Sequence, residues 1–151
     1  MTVMIDSMSL AEVAEAERFE RTGMEAGPRA ASLAREAFAD WLERYFDLDP
    51  IRSADLVLAV NEALANAAEF AYLRAEHPGT MDVRADYDAD SKRLVVRVCD
   101  HGAWRTPVSN ANNPARGRGI PLMRALSDRA DIEISSGGTQ VSLAWHAVTQ
   151  R

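Results

Sequence analysis

The segment Leu58 to Tyr72, LAVNEALANAAEFAY, consists mostly of helix formers but carries polar side chains that could do chemistry. Glu62 and Asn66 are four residues apart, so on a helix they project from one side, a turn apart. A carboxylate and a carboxamide in this arrangement could orient a nucleophile and hold a divalent cation. The same pair also fits a helix whose polar line simply faces solvent.

The angular positions of the polar residues favour a role for this helix in a site. Four of them fall within a sector of roughly 60° around the helix axis: Asp55, Glu62, Asn66 and Glu69. Solvent faces are usually wider and richer in basic residues, yet no lysine or arginine lies between Arg52 and Arg74. Asparagine is also a mediocre helix former, and it has little reason to lie in the middle of a helix unless its amide has a partner. The pattern predicts a mostly buried helix with one thin polar line.

A second motif is VVRVCDHGAW, in which an apolar strand delivers Asp100 to its end and Gly102 follows two residues later. Sites are often built at strand ends, and a carboxylate there can accept hydrogen bonds from an exocyclic amine. The alternative is a simple turn, in which Asp100 bonds to its own backbone and Gly102 takes a positive φ.

A third feature is the stretch RTPVSNANNPARGRGIPLMRAL, whose first dozen or so residues lack periodicity. Long loops in compact domains are usually functional lids or disordered. The stretch ends in Gly117-Arg118-Gly119, before a helix that Pro121 can begin. Glycines allow the backbone to approach a phosphate, and a helix amino terminus offers N–H groups and positive potential. A flexible connector would fit the same string, and the P-loop motif G-x-x-x-x-G-K-[ST] is absent.

The periodicity of the chain predicts the elements that position these motifs. Helices are predicted from Pro28, from Pro50 to about Ala75, and over IPLMRALSDRA. The strands TMDVRADY, KRLVVRVCD, DIEIS and TQVSLAW alternate, and a short edge strand is possible from Arg18 to Thr22. Such strands form an antiparallel or mixed sheet covered on one side. The predicted fold is a two-layer α/β sandwich with three helices on one face, a flexible lead-in over 1–15 and a single domain over 16–151.

Composition limits the class of protein. The 151 residues are enough for one domain, with 47% hydrophobic and 26% charged residues. The net charge of −6 gives no electrostatic reason to expect a nucleic-acid partner or an acidic membrane surface. The single cysteine, Cys99, excludes an internal disulfide and is interpreted as a small buried hydrophobic residue. Without an apolar span or a signal sequence, the protein is predicted to be cytoplasmic.

Together, E-x-x-x-N on a helix, D-x-G after a strand and G-x-G before a helix resemble the Bergerat-type ATP-binding fold of the GHKL superfamily, named from gyrase, Hsp90, histidine kinases and MutL. The resemblance is strongest to the small anti-sigma-factor serine kinases of bacteria and extends from about Arg18 to Trp145. Each motif is common alone, whereas three in this order and spacing are fairly specific.

The resemblance implies a role for each matching residue. Glu62 would be the general base that activates a serine hydroxyl or water. Asn66 would ligate a Mg²⁺ ion that bridges the phosphates. Asp100 would bind the adenine amino group, Gly102 would allow the ring to approach, and Thr139 would support the aspartate.

Further roles follow for the glycine motif, together with two departures from the family pattern. Gly117 and Gly119 would bring backbone N–H groups to the phosphates, with Arg118 as a charge partner. The family often has a second glycine where this chain has Trp104, and a histidine where it has Phe70. Both departures bear more on the rate of phosphoryl transfer than on nucleotide binding.

The function implied by the resemblance is an ATP- and Mg²⁺-dependent serine kinase that sequesters a sigma factor and phosphorylates a STAS-type anti-anti-sigma antagonist. Such proteins are often homodimers, and the partner surface would include the first helix and the lid side. One alternative is an ATP-binding partner switch that has lost phosphotransfer. Another is a histidine-kinase catalytic domain, but none of His77, His101 and His146 lies on the required upstream helical hairpin.

Overall fold

Helices and strands follow one another along the residues that this computed structural model describes, which are 9–73, 79–101, 114–135 and 137–151, with side chains described except at 70–73 and 114–119. The helices are α1 (Leu10–Glu17), α2 (Pro28–Tyr45), α3 (Pro50–Leu73) and α4 (Pro114–Leu126). The strands are β1 (Arg18–Glu25), β2 (Phe46–Asp47), β3 (Thr80–Asp88), β4 (Arg93–His101), β5 (Arg129–Ser135), β6 (Gly138–Trp145) and β7 (Thr149–Gln150).

The main sheet has five antiparallel strands in the order β1-β3-β4-β6-β5, and β2 pairs with β7 in a separate two-stranded sheet. Strand β4 shows why the sheet has two different faces. Leu94, Val96 and Val98 are buried, whereas Arg97 between them is exposed, because successive side chains of a strand point to opposite faces. The alternation predicted from the sequence is therefore confirmed.

The helical layer covers one face of the sheet, and α3 is its central element. α3 packs between α2 and α4 and lies against β3, β4 and β6. Its buried residues recur at helical spacing: Leu56, Ala59, Val60, Ala63, Leu64, Ala67 and Ala68. They join the apolar face of the sheet in one hydrophobic core. The predicted two-layer α/β sandwich is confirmed, with an antiparallel sheet.

Helix α1 overlaps the segment 1–15, which was expected to be a flexible lead-in, and the helix was not predicted. Ser9 and Glu12 form a capping box, with each side chain bonded to the backbone N–H of the other residue. Trp41 Nε1 of α2 donates to the main-chain oxygen of Glu15 at 2.7 Å. A local capping motif and a tertiary hydrogen bond therefore order Leu10–Glu17 despite its few large apolar residues. The predicted domain boundary at residue 16 stays a prediction.

Helix α4 begins earlier than the sequence suggested. The prediction that Gly117 and Gly119 precede the helix was wrong, because α4 begins at Pro114 and both glycines lie inside it. Proline is favoured at the first position of a helix, and Pro114 meets that preference. Pro121 lies in the helix interior, where it has no N–H to donate to the carbonyl of Gly117.

Candidate functional site

A narrow pocket with a free volume of only about 10 Å³ lies between the helical layer and the sheet. It is lined by Ala63, Asn66, Ala67, Val98, Asp100, Ile120, Met123, Ile132, Thr139 and Val141. A volume of this size holds about one water molecule, so the helical layer and the sheet would have to move apart before a ring system could enter. The polar lining residues come from three elements: Asn66 from α3, Asp100 from β4 and Thr139 from β6.

Asp100 is a carboxylate on the apolar face of β4. It continues the buried series of Val96 and Val98 and is only 4% exposed. Burial of a carboxylate is costly unless hydrogen bonds compensate it, and the backbone N–H of Thr139 donates to Asp100 Oδ1 at 3.2 Å. The donor belongs to the main chain, so the supporting role that the resemblance implied for Thr139 stays a prediction. Asp100 can thus offer a fixed acceptor to an N–H donor in the pocket.

Helix α3 brings Asn66 to the pocket between two small residues. Ala63 and Ala67 also line it, and their short side chains leave space between the helix and the sheet. Glu62 is half-buried one turn before Asn66 and is not among the lining residues. Residues four apart on a helix are neighbours, so Glu62 lies beside the pocket and within reach of a group that projects from it.

Helix α4 contributes Ile120 and Met123 to the pocket wall. The chain therefore reaches the pocket immediately after Gly117, Arg118 and Gly119, which form part of the amino-terminal half of α4. The amino-terminal turn of a helix has N–H groups without intrahelical acceptors and carries positive potential. The glycine motif thus lies next to the pocket in helical form. Gly102, the lid stretch with Trp104, and the side chain of Phe70 lie outside the described residues.

Cys99 points away from this pocket. It is half-buried on the open face of the sheet, with Sγ 3.5 Å from Gln140 Oε1, so its interpretation as a core hydrophobic residue was wrong. The alternation of β4 requires this, since its neighbour Asp100 takes the inner face. Burial, followed by the negative charges of Asp82 and Asp100, raises the pKa of the Cys99 thiol. A raised pKa keeps the thiol protonated and unreactive at neutral pH.

Sequence reasoning did not identify Gly138 as part of the site. Gly138 is buried at the start of β6 with a φ of +140°, and a Cβ atom there would lie 1.9 Å from the main-chain oxygen of Asp100. The adjacent glycines 137 and 138 were the only hint of this role in the sequence, but a hairpin turn accounts for two adjacent glycines without any ligand. Ile132 and Val141, which supply apolar contacts to the pocket, carried no sequence signal beyond strand alternation.

The chemistry of the residues present fits a nucleotide with its metal, although the pocket has no space for one in this structure. The pocket combines apolar walls with a supported carboxylate and a carboxamide, which suits a heteroaromatic ring bearing an amine. Among the described residues, no group of three or more histidine, cysteine, aspartate or glutamate side chains could hold a metal ion. A Mg²⁺ ion shared with phosphates takes few protein ligands and keeps several waters, so the carboxamide oxygen of Asn66 could be its protein ligand. Within the described chain, every helix is too short or too polar to cross a bilayer.

Comparison with known proteins places the fold. Residues 24–145 match the family model described as a histidine kinase-like ATPase domain. The crystal structure of the RsbU and RsbW domains of Rv1364c from Mycobacterium tuberculosis is similar, with a TM-score of 0.66, 25% identity, and coverage of 89% of this chain and 33% of that one.

A second similar structure is the histidine kinase domain of the blue-light activated histidine kinase EL346 from Erythrobacter litoralis. Its TM-score is 0.55 and its identity 18%, with coverage of 83% of this chain and 64% of that one, so it supports the fold alone. This chain thus spans less than two thirds of either similar structure. The GHKL resemblance stated from the motifs is confirmed by the family match. The chain belongs to the family of histidine kinase-like ATPase domains.

Proposed function

We propose that this protein is an ATP-dependent serine kinase that sequesters a sigma factor and phosphorylates a STAS-type anti-anti-sigma antagonist. The observation that carries the proposal is that the buried Asp100, its Thr139 support and Asn66 line the same pocket. The family match implies ATP binding. The similar structure that contains an RsbW domain is consistent with a partner-switch regulator.

Nucleotide binding would depend on the polar residues of the pocket. Asp100 would accept a hydrogen bond from the adenine amino group, with Gly102 allowing the ring to approach. Thr139 would hold the carboxylate in place through the 3.2 Å backbone contact. Asn66 would provide the carboxamide oxygen that ligates Mg²⁺. Bound ATP would supply the phosphoryl group, and Mg²⁺ would offset the negative charge of its phosphates.

Glu62 would act as the general base. It would accept the proton of the partner's serine hydroxyl, which makes the oxygen a better nucleophile. Its location one helical turn from Asn66 would hold the base beside the metal ligand. Phosphoryl transfer depends mainly on positioning and charge stabilisation, and α3 would provide both from one rigid element.

The amino-terminal half of α4 would bind the phosphates. Its positive end and its first-turn N–H groups suit an anion, and Arg118 would add a formal positive charge. Gly117 and Gly119 would permit close approach of the backbone. Since both glycines are helical in this structure, phosphate contact by their N–H groups would require local unwinding of the helix.

The partners would be a sigma factor and its antagonist, bound by a homodimer in the cytoplasm, without direct nucleic-acid or membrane contacts. A second candidate is a partner switch that binds ATP but does not transfer phosphate. Phe70 and Trp104, which depart from the family pattern, favour this alternative.

In the decisive experiment, purified protein is incubated with ATP-Mg²⁺ and the cognate antagonist, and phosphoserine on the antagonist is detected by mass spectrometry. Glu62→Gln should reduce the transfer rate about 100-fold or more, since general-base catalysis contributes that much. Its dissociation constant for ATP should change less than about threefold, because Glu62 is not a lining residue of the pocket. The matched control is Glu69→Gln, which removes another half-buried carboxylate of α3 and should leave the transfer rate unchanged.

Each other outcome has a distinct meaning. Full transfer by Glu62→Gln would show that another group is the base. Tight ATP binding by the wild-type protein without any phosphoserine would replace the kinase with the partner switch. Failure of the wild-type protein to bind ATP would exclude both.

A further inference from the structure

We propose that the peptide group between Gly138 and Thr139 is a positioning element that aims the Asp100 carboxylate, so that Gly138 and Ser135 determine the selectivity of the pocket for adenine over other purines. This inference rests on the proposed function of the pocket and adds residues to it. Two observations carry it. A side chain at Gly138 would abolish the close approach of this residue to Asp100, and a hydrogen bond from Ser135 holds the oxygen of the same peptide group.

The close approach of β6 to Asp100 requires a residue without a side chain. A Cβ at Gly138 would lie 1.9 Å from the main-chain oxygen of Asp100 and 2.9 Å from its Oδ1. Distances this short are sterically impossible, and the atom first contacted is backbone in the middle of the sheet. The φ of +140° at Gly138 is also a conformation that other residues rarely adopt. Only glycine therefore allows the strands to pass at this distance.

Two hydrogen bonds hold the peptide group from opposite sides. Ser135 Oγ donates to the main-chain oxygen of Gly138 at 3.2 Å, and the N–H of Thr139 donates to Asp100 Oδ1 at 3.2 Å. The C=O and N–H of a trans peptide lie in one plane and point in opposite directions. Fixing the oxygen at Ser135 therefore fixes the direction of the N–H at Asp100.

A second contact keeps Ser135 itself in place. The N–H of Gly137 donates to Ser135 Oγ at 3.3 Å, so the hydroxyl accepts from one residue of the turn and donates to the next. The hairpin between β5 and β6 thus has a side chain that braces the peptide contacting Asp100. This brace is distant in sequence from Asp100 and acts on it only through the folded sheet.

The orientation of a carboxylate decides which ligands it accepts. A carboxylate offers only acceptors, so it suits the exocyclic amine of adenine and repels the carbonyl oxygen that hypoxanthine has at the same position. A misdirected carboxylate loses both the attraction and the repulsion. The selectivity between the two bases is therefore a direct measure of how well the peptide group aims Asp100.

The test compares dissociation constants for Mg-ATP and Mg-ITP. Their bases differ in that amine and carbonyl and at the adjacent N1, which is an acceptor in adenine and an N–H donor in hypoxanthine. Wild-type protein should prefer ATP. Gly138→Ala should reduce the ratio of the two constants about tenfold or more, since a hydrogen bond to a charged group controls it. Gly137→Ala is the matched control, because a Cβ there meets only Ser135 Oγ at 3.9 Å, in ordinary contact. It should keep the wild-type ratio.

Ser135→Ala keeps the proposal testable if Gly138→Ala does not fold. It removes one neutral hydrogen bond and should reduce the preference for Mg-ATP over Mg-ITP about two- to tenfold. Circular dichroism checks that the variant is folded. A general loss of structure would weaken both nucleotides equally and leave the ratio unchanged. An unchanged ratio in folded Gly138→Ala, or in Ser135→Ala if the former does not fold, would overturn the inference while ATP binding stands. Equal affinity of the wild-type protein for both nucleotides would also overturn it, and no affinity for either would overturn the proposed function as well.

Discussion

Asp100 is the residue on which the site most depends. Its carboxylate lies on the buried face of β4, where an apolar side chain is expected because Val96 and Val98 precede it on the same face. A buried charge costs several kcal/mol unless its partners compensate. The fold supplies a hydrogen bond from the backbone N–H of Thr139, which compensates part of that cost and holds one carboxylate oxygen in place.

Asp100→Asn should weaken ATP binding. The carboxamide replaces a charged acceptor by a neutral group with one acceptor oxygen and a donor, so the dissociation constant should rise about 10- to 100-fold. Isothermal titration calorimetry measures the change. Asp131→Asn, which alters an exposed carboxylate paired with Arg129 on β5, is the matched control and should bind as the wild type does. If Asp100→Asn binds ATP as tightly as the wild type, Asp100 does not recognise adenine.

At the scale of elements, α4 is unusual because it is a helix that contains residues with low helix propensity. It contains Gly117, Gly119 and an interior Pro121. Each glycine costs about 1 kcal/mol relative to alanine in a helix, and an interior proline about 3 kcal/mol. The carboxyl-terminal half is fixed by Met123, which is fully buried. The amino-terminal half is thus the part of α4 that can change conformation at least cost.

Gly119→Ala should separate the helical role of this residue from its phosphate role. Alanine favours the helix, so the free energy of unfolding should rise by up to about 1 kcal/mol, as measured by urea denaturation. The affinity for ATP should nevertheless fall, because the stabilised helix resists unwinding around the phosphates. Greater stability with unchanged ATP affinity would mean that Gly119 serves the helix alone.

At the scale of the whole molecule, the pocket joins parts of the chain that are distant in sequence. Asn66, Asp100 and Thr139 come from a helix and two strands that meet only when the sandwich is complete. A ligand that contacts all three binds the native state and not the unfolded chain. Its binding energy therefore adds to the stability of the entire domain.

Saturating ATP-Mg²⁺ should raise the melting temperature. At a concentration 100 times the dissociation constant, the stabilisation is about 2.7 kcal/mol, which for a domain of this size corresponds to roughly 5–10 °C. Differential scanning fluorimetry measures the shift, and Asp100→Asn at the same ATP concentration should show a smaller one. A melting temperature that ATP does not change at any concentration would contradict nucleotide binding.

The sequence by itself determined the elements and the motifs. Strand alternation and helical spacing are local patterns, so β3, β4, β5, β6, α2 and the start of α3 could be predicted. The spacing of Glu62 from Asn66, and of Asp100 from Gly102, is equally local and was enough to suggest the family. The helix α1 and the start of α4 were missed because capping and weak propensities are decided by contacts that the local pattern does not contain.

Only the tertiary structure decided how these parts meet. Leu58 and Ala65 of α3 are apolar but exposed, because the position of the sheet and not the helix pattern determines which side of the helix is covered. The contact of Gly138 with Asp100 joins residues that are far apart in the chain. No local pattern records such a distance, since it results from the register of β4 and β6 and from their packing against α3.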